Sequence, residues 1–334
     1  MTVTKIVHID RYQENLRQII EIMAPAKVMA VVKADGYGHG LVETAEAAAV
    51  SGIELLGVLD IESALHLRKS GIATPCFAWL HSPQSDFAAA IRTGVELSAS
   101  SIEELENIAS APGRAKVHLK LDTGLSRNGC RIENWTALVA RALTLESENA
   151  IVVEAIWSHL SGTSAADDEA ALAVFDQGFE IAAKLGFVGY RHIASSPAAF
   201  SNPGSRFDLV RIGVSAFGTS PVSGQTATTF GLKSVMTVTA EVLSAGVISM
   251  GFLHGLFSSV AGKLSVNIAG KAYKVLEIGP LASRIETGQY EIGDPVYIFG
   301  DNAMVTAEEL SELAETVTDE LFTGIKANLV TYSS

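Results

Sequence analysis

VMAVVKADGYGHG, residues 28–40, decides how the rest of the chain reads. Val28 to Val32 form an apolar run, too short for a helix and rich in β-branched side chains, so they predict a buried strand. Lys33 closes that run. A lysine ending a buried strand is costly unless it is paired or used covalently. Past Gly40 the texture changes to LVETAEAAAVSG (41–52), an Ala- and Glu-rich helical stretch that ends at glycine.

The chain repeats this strand-then-helix unit as far as Val214. The strand candidates are VMAVVK (28–33), ELLGVL (54–59), PCFAWL (75–80), GVELSA (94–99), KVHLKL (116–121), IVVEAIW (151–157), YRHIA (190–194) and DLVRIGV (208–214). Helical runs such as IESALHLRKSG, SSIEELENIASA and DEAALAVFDQGFEIAAKLG lie between them, several capped by Ser or Asp and closed by Gly. Strands separated by helices predict a parallel sheet covered on both faces, and eight repeats predict an α/β fold closed into a (β/α)8 TIM-type barrel. A doubly wound open sheet is the competing architecture. It requires GxGxxG spacing after the first strand, which GYGHG lacks.

After Gly218 the texture changes again. SPVSGQTATTFG (220–231) reads as a linker or loop, and the β-rich segments that follow have no helices between them: VMTVTAEVLSAGVISM, KLSVNIAGKAYKVLEIG and DPVYIFG. Gly270-Lys271 and Gly293-Asp294 read as turns. The expected organisation is therefore a barrel over 11–219 and a smaller, mostly-β C-terminal domain over 220–334, with the opening strand in 1–10 joining that domain. TAEELSELAETVTDELFTGI (306–325) reads as one acidic helix or two.

Bulk properties narrow the function classes. With 334 residues, 48% hydrophobic and 18% charged, the chain can bury a large core. The net charge of −13 disfavours nucleic acid and anionic membrane surfaces as partners, although a local site can still hold a phosphate. Cys76 and Cys130 are too few for a disulfide framework or a zinc cluster. Neither a signal peptide nor an apolar run long enough to span a membrane is visible, and the histidines show no metal-ligand spacing, so the expected home is the cytoplasm and the expected metal is none.

In a barrel of this kind, chemistry sits at the C-terminal ends of the strands. The first strand ends at Lys33, the fifth carries Lys120 and leads to Asp122 and Arg127, and the sixth leads to His159. The seventh leads to Ser195-Ser196, and the eighth carries Arg211 and then Gly213. Taken singly, each has a structural reading: a snorkelling lysine, an ion-pair partner, a hydrogen-bonded histidine, a helix N-cap before Pro197. Taken together on one rim they read as a site. A lysine amine can form a Schiff base with an aldehyde cofactor. Ser196, with amides near Gly213, can hold a phosphate, and His159 can lie beside an aromatic ring. Arg211 only donates hydrogen bonds, so a ring nitrogen facing it must accept and stay unprotonated.

These motifs resemble those of the alanine racemase family. VVKADGYGHG is similar to the family's lysine motif, LKLDTGLSRNG (119–129) to its second motif, SHL to its histidine motif, HIASSPAAF to its serine motif and FDLVRIGVSAFG to its arginine motif, in family order across roughly residues 5–220. The resemblance implies pyridoxal 5'-phosphate as cofactor, a small amino acid, most simply alanine, as substrate, and a homodimer with shared active sites. It implies that Lys33 is the Schiff-base lysine and the base on one face. Tyr37, Ser196 and the Gly213–Val214 amides would hold the phosphate. His159 would pack on the cofactor, Arg211 would face the pyridine nitrogen, and Arg127 would contact the phenolic oxygen and the substrate carboxylate. Lys120 matches a lysine that is often carbamylated and orients that arginine.

The C-terminal part departs from the pattern. The family places a catalytic tyrosine in GYxDG, whereas GFLHG (251–255) puts Phe252 there. The usual Met-Asp motif is replaced by EIGPLASRIE, and a phosphate-contacting tyrosine aligns with Asp319. A second base, if one exists, has His254 as first candidate and Tyr273, Tyr290 and Tyr297 after it, although His254 also reads as a turn histidine. Three functions therefore compete: a two-base racemase, a pyridoxal-phosphate enzyme using Lys33 as its only base, and a non-catalytic cofactor carrier.

Overall fold

Eight strands lie side by side in one parallel sheet: Lys27–Val31, Leu55–Val58, Cys76–Ala78, Val95–Ala99, Ala115–Lys120, Ile151–Trp157, Tyr190–His192 and Leu209–Ile212. The second to the seventh each pair with the strand before, and the eighth pairs with the first. The remaining seam is closed by the Arg211 amide, which donates to the Ala194 carbonyl at 3.0 Å beside a parallel bridge between Ser195 and Arg211. The sheet is a (β/α)8 barrel, and all eight strand candidates fall on its staves. The computed structural model from which this is drawn describes residues 2–333.

The strands read as unbroken apolar runs because helices cover them outside and side chains fill them inside. Leu55–Val58, Val95–Ala99 and Leu209–Ile212 are buried at every position. Inside, Met29, Leu55, Phe77, Trp157 and Leu209 form a cluster, with Trp79 and Tyr190 packed against it. Gly57 makes room for it: a Cβ there would lie 2.9 Å from the Met29 sulfur and 3.0 Å from the Trp79 ring. Asp60, Asp86, Ser101 and Ser164 cap the helices that follow, each accepting a backbone N–H of the first turn.

The second sheet runs in the order Val247–Ile248, Ser283–Ile285, Lys271–Ile278, Ser265–Ile268, Pro295–Phe299, Met236–Ser244, Thr4–His8, Leu329–Ser333. Its pairings are antiparallel except the last, between Thr4–His8 and Leu329–Ser333, which is parallel. Thr4–His8 and Ser265–Ile268 alternate buried and less buried residues, as a sheet with one covered face requires. Ala269 and Gly270, both at positive φ (51° and 82°), make the tight hairpin before Lys271. The acidic stretch forms two helices, Ala307–Ala314 and Thr318–Gly324, separated at Glu315, whose φ is 60°.

The chain groups into two compact units. One holds Ile19–Lys33 and Ala48–Gly213, and so all eight barrel strands. The other holds the residues up to Gln18, Ala34–Ala47, and Val214 onward. Ala34–Ala47 joins this second unit through specific contacts. The His39 ring stacks on Phe217 at 4.3 Å and meets Phe322 edge-on at 4.9 Å, and the Lys5 ammonium donates to the Gly38 carbonyl. Immediately after Lys33 the backbone takes a left-handed turn, with φ between 51° and 58° at Ala34, Asp35, Gly36 and Tyr37. Three of these are not glycine, so the turn stores strain.

Candidate active site

In the barrel unit the polar residues gather around Trp157, the last residue of the sixth strand. The Lys120 ammonium sits 4.3 Å from the centre of the indole, and the Arg211 guanidinium carbon 5.1 Å from it. The indole N–H donates to the Ser98 hydroxyl at 3.0 Å, which fixes the ring. Both cations are buried, being no more than 5% exposed.

Arg211 is held by its two terminal nitrogens. Nη1 donates to His192 Nδ1 at 2.9 Å. Nη2 donates to the Ser158 carbonyl at 2.8 Å, the Ile193 carbonyl at 3.0 Å and His159 Nδ1 at 3.0 Å. Its Nε–H finds no acceptor among the described residues, and no carboxylate pairs with it there. Burial, and then the charge of Arg127, push this guanidinium down to about 9.

His159 reports the field of the whole site. Burial, then Arg211, Arg127, Lys120 and Lys33, push its imidazole down to about 3, so it is neutral at physiological pH. Of the four cations expected from the sequence, Arg211 touches this ring directly, and the charges of the other three also act on it. Lys120 is driven down to about 8, chiefly by burial and then by Arg211 and Arg127, with Asp122 and Glu104 opposing. Lys33 is half-buried, two residues beyond the first strand. Arg127 lies exposed on a loop that Asp122 organises by accepting the amides of Gly124 and Ser126.

Ser196 opens the short helix Ser196–Ser201, and its hydroxyl accepts the Gly213 amide at 3.1 Å. The serine motif and the arginine motif are thereby joined. Tyr37 and Val214 belong to the second unit. Tyr37 is buried there, with its ring 5.5 Å from that of Phe217. Burial and Asp319 push its phenol above the ordinary range.

The candidates for a second base also lie in the second unit. Phe252 is 46% exposed, whereas His254 is buried, and its Nδ1 accepts the Gly251 amide at 3.2 Å within its own turn. The Tyr290 hydroxyl donates to the Glu286 carbonyl at 2.8 Å and accepts the Gly246 amide at 3.0 Å. The Tyr273 hydroxyl donates to the Gln289 carbonyl at 3.3 Å.

Three polar residues of the barrel interior escaped the reading of the sequence: Glu96, His118 and His192. Their signal was present but faint, since each is one polar residue among others in GVELSA, KVHLKL and YRHIA. All three are buried and hydrogen-bonded in a chain that ends on Arg211.

Comparison with known proteins places the chain among relatives of one name. Residues 7–221 match the family described as "Alanine racemase, N-terminal domain". A protein of Salinispora arenicola named alanine racemase is 32% identical, over 95% of this chain and 94% of its own length. One of Salinispora tropica, with the same name, is 40% identical over 71% of this chain and 65% of its own. Among solved structures, the alanine racemase from D-cycloserine-producing Streptomyces lavendulae superposes with a TM-score of 0.94 at 29% identity, covering 100% of this chain and 97% of that one. The alanine racemase of Corynebacterium glutamicum gives 0.92 at 27% identity, with 99% of each chain covered.

Proposed function

Since the chain belongs to the alanine racemase family, a family of pyridoxal-phosphate-dependent isomerases, we propose that it interconverts L- and D-alanine, or acts likewise on another small amino acid. The observation that carries this reading is the buried pair Lys120 and Arg211 flanking Trp157, with Arg211 donating to His159 and Ser196 joined to the Gly213 amide. Such a site suits a dianionic phosphate group and a substrate carboxylate.

The residues present fit the cofactor. Arg211 has an Nε–H with no acceptor among the described residues, which suits a ring nitrogen, and being donor-only it leaves that nitrogen unprotonated. Ser196 and the Gly213 amide form a hydroxyl and N–H pair suited to phosphate oxygens. Tyr37 and the Val214 amide complete the phosphate set in this assignment. When bound, pyridoxal phosphate supplies an electron-withdrawing ring that acidifies the substrate's α-carbon. Lys33 anchors it and carries the α-proton on one face. Arg127 receives the substrate carboxylate, and Lys120 orients Arg127. His159 is held neutral and hydrogen-bonded to Arg211, so it packs as a flat neighbour and does not compete for the proton.

The opposite face of the substrate requires a second base. Phe252 has no proton to exchange, and His254 is the titratable group nearest to it in sequence. This favours a second reading, in which Lys33 is the only base and one enantiomer exchanges far faster. The proposal also includes a homodimer with shared active sites and residence in the cytoplasm. Phe252, Leu253 and Leu281, each about half exposed, are apolar residues that a second copy would cover. No helix among the described residues is long and apolar enough to cross a membrane.

Incubating the holoenzyme separately with L- and D-alanine in deuterated water tests the assignment. A racemase incorporates deuterium from both enantiomers and inverts them. A one-base enzyme exchanges one enantiomer only, and exchange of neither overturns the catalytic reading.

A further inference from the structure

A line of hydrogen bonds crosses the barrel interior from Arg211 to a buried carboxylate. Arg211 Nη1 meets His192 Nδ1 at 2.9 Å, His192 Nε2 meets His118 Nδ1 at 3.0 Å, and His118 Nε2 meets Glu96 Oε2 at 2.9 Å. Both histidines are fully buried. His118 stacks on Phe77 at 4.2 Å with its ring tilted by only 16°, and His192 lies parallel to Trp157 within 12°. Neither ring can turn without breaking that packing.

The chemistry of the two ends dictates every proton in between. A guanidinium has only donors, so His192 Nδ1 must be bare and its proton must sit on Nε2. That N–H can only donate to His118 Nδ1, which places the His118 proton on Nε2. The last N–H donates to Glu96, an ionised carboxylate that only accepts. All three bonds therefore point from Arg211 to Glu96, and the opposite polarity would set two donors or two acceptors face to face. The surroundings support a charged Glu96. Burial pushes its carboxyl up, but the hydrogen bond from His118 and the charge and hydrogen bond of Lys116 act the other way, and the carboxyl lies below the usual range. Lys116 stands 3.4 Å from the other carboxylate oxygen, and the Tyr190 hydroxyl 3.3 Å from His118 Nε2. His192 is kept neutral by burial and by Arg211.

We propose that Glu96 is a positioning residue for the reaction: as the acceptor terminus of this line, it fixes the tautomers of His118 and His192 and so orients the Arg211 guanidinium toward the cofactor's ring nitrogen. The proposal rests on the cofactor assignment above, but its first readout does not need the cofactor. The line also supplies an anion linked to Arg211, which has no paired carboxylate among the described residues.

Nitrogen-15 NMR of the histidines, in the full chain with and without cofactor, tests the tautomers directly. Wild type should show neutral His192 and His118, both protonated on Nε2. Glu96→Gln should keep this pattern, because its amide oxygen can turn to His118 while Lys116, about half exposed and already 2.9 Å from Glu154, pairs there instead. Glu96→Ala removes the acceptor and should scramble both tautomers. With alanine as substrate, Glu96→Ala should lower kcat by roughly 10–100-fold, the range typical of outer partners of a site, with a smaller change in KM, while Glu96→Gln stays within about threefold. A wild-type His192 protonated on Nδ1, or doubly protonated, overturns the proposal whether or not any variant folds. So does Glu96→Gln with scrambled tautomers, or Glu96→Ala with the wild-type pattern and kcat. An ordered tautomer pattern in a protein that does not racemise would instead count against the functional reading alone.

Discussion

Replacing Lys120 with methionine should make the protein more stable near neutral pH and at the same time less active. The Lys120 amine is buried, and no hydrogen-bond acceptor reaches it among the described residues. Two guanidiniums repel it, and Asp122 and Glu104 offset them only in part. Its fall from the ordinary 10.5 to about 8 corresponds to roughly 3 kcal/mol of disfavoured charge, at about 1.4 kcal/mol for each factor of ten. The face of Trp157, 4.3 Å away, returns about 1–2 kcal/mol of that. Methionine matches the stem in volume and flexibility, so the net gain should be about 1–2 kcal/mol. The pH window follows from proton binding. Between about 8 and 10.5 the unfolded chain binds the proton and the folded chain does not, so wild-type stability rises with pH through that window. The advantage of Lys120→Met is then full below pH 8 and gone above 10.5. Urea unfolding of the cofactor-free protein at about pH 7 and again at about pH 10 measures it. A variant less stable than wild type at the lower pH, or a gap that does not shrink at the higher one, refutes the reasoning. It would mean that Lys120 has an anionic partner, such as a carbamate on its own nitrogen. Racemisation should fall roughly 10–100-fold in either case, because Arg127 loses its orienting neighbour.

Lys33→Ala should abolish the visible absorbance of lysine-bound cofactor and any borohydride-reducible adduct; retention of the adduct would place the anchor elsewhere. Gly38→Ala should cost about 2–5 kcal/mol in urea unfolding, since φ is +76° and the new Cβ would lie 2.4 Å from the Phe322 carbonyl oxygen. Gly71→Ala, with φ at +89° but nothing within 4 Å, should cost only about 1–2 kcal/mol, and equal losses in the two would remove the steric part of the argument. Sedimentation should show a dimer in the micromolar range, and charged substitutions at Leu253 or Leu281 should weaken it; a monomer with full activity would remove the shared site.

The barrel was legible because its strands are buried on both faces, so burial itself writes apolar runs such as Val28–Val32 and Ile151–Trp157 into the sequence. The rim residues were legible for the opposite reason: a lysine or arginine next to such a run is expensive, and five strands carried or led to such polar groups. The interior line was not legible. Glu96, His118 and His192 each look like one tolerated polar residue in a strand, and only the tertiary fold makes them consecutive. The left-handed turn after Lys33 was also hidden, because Ala34, Asp35 and Tyr37 adopt a conformation that their own side chains disfavour. Leu329–Ser333 gave no signal, being an edge strand mostly exposed on both faces.

Electrostatics explains why an acidic protein carries this site. The chain has a net charge of −13, yet Lys33, Lys120, Arg127 and Arg211 all act on one imidazole. Buried cations such as Lys120 and Arg211 are tolerated only where something compensates their charge. Here the protein provides part of that compensation at a distance, through the two histidines that lead to Glu96, and leaves the rest to anions that bind from solution. A carboxylate paired directly with Arg211 would neutralise its charge, but it would also draw the guanidinium away from a ring nitrogen. Two neutral imidazoles avoid that conflict, because they accept from Arg211 without carrying a charge to its side. The same field keeps His159 unprotonated and drives Lys120 toward its neutral form. Burial thus separates Lys120 and Arg211, whose protonated forms it disfavours, from Arg127 on its exposed loop.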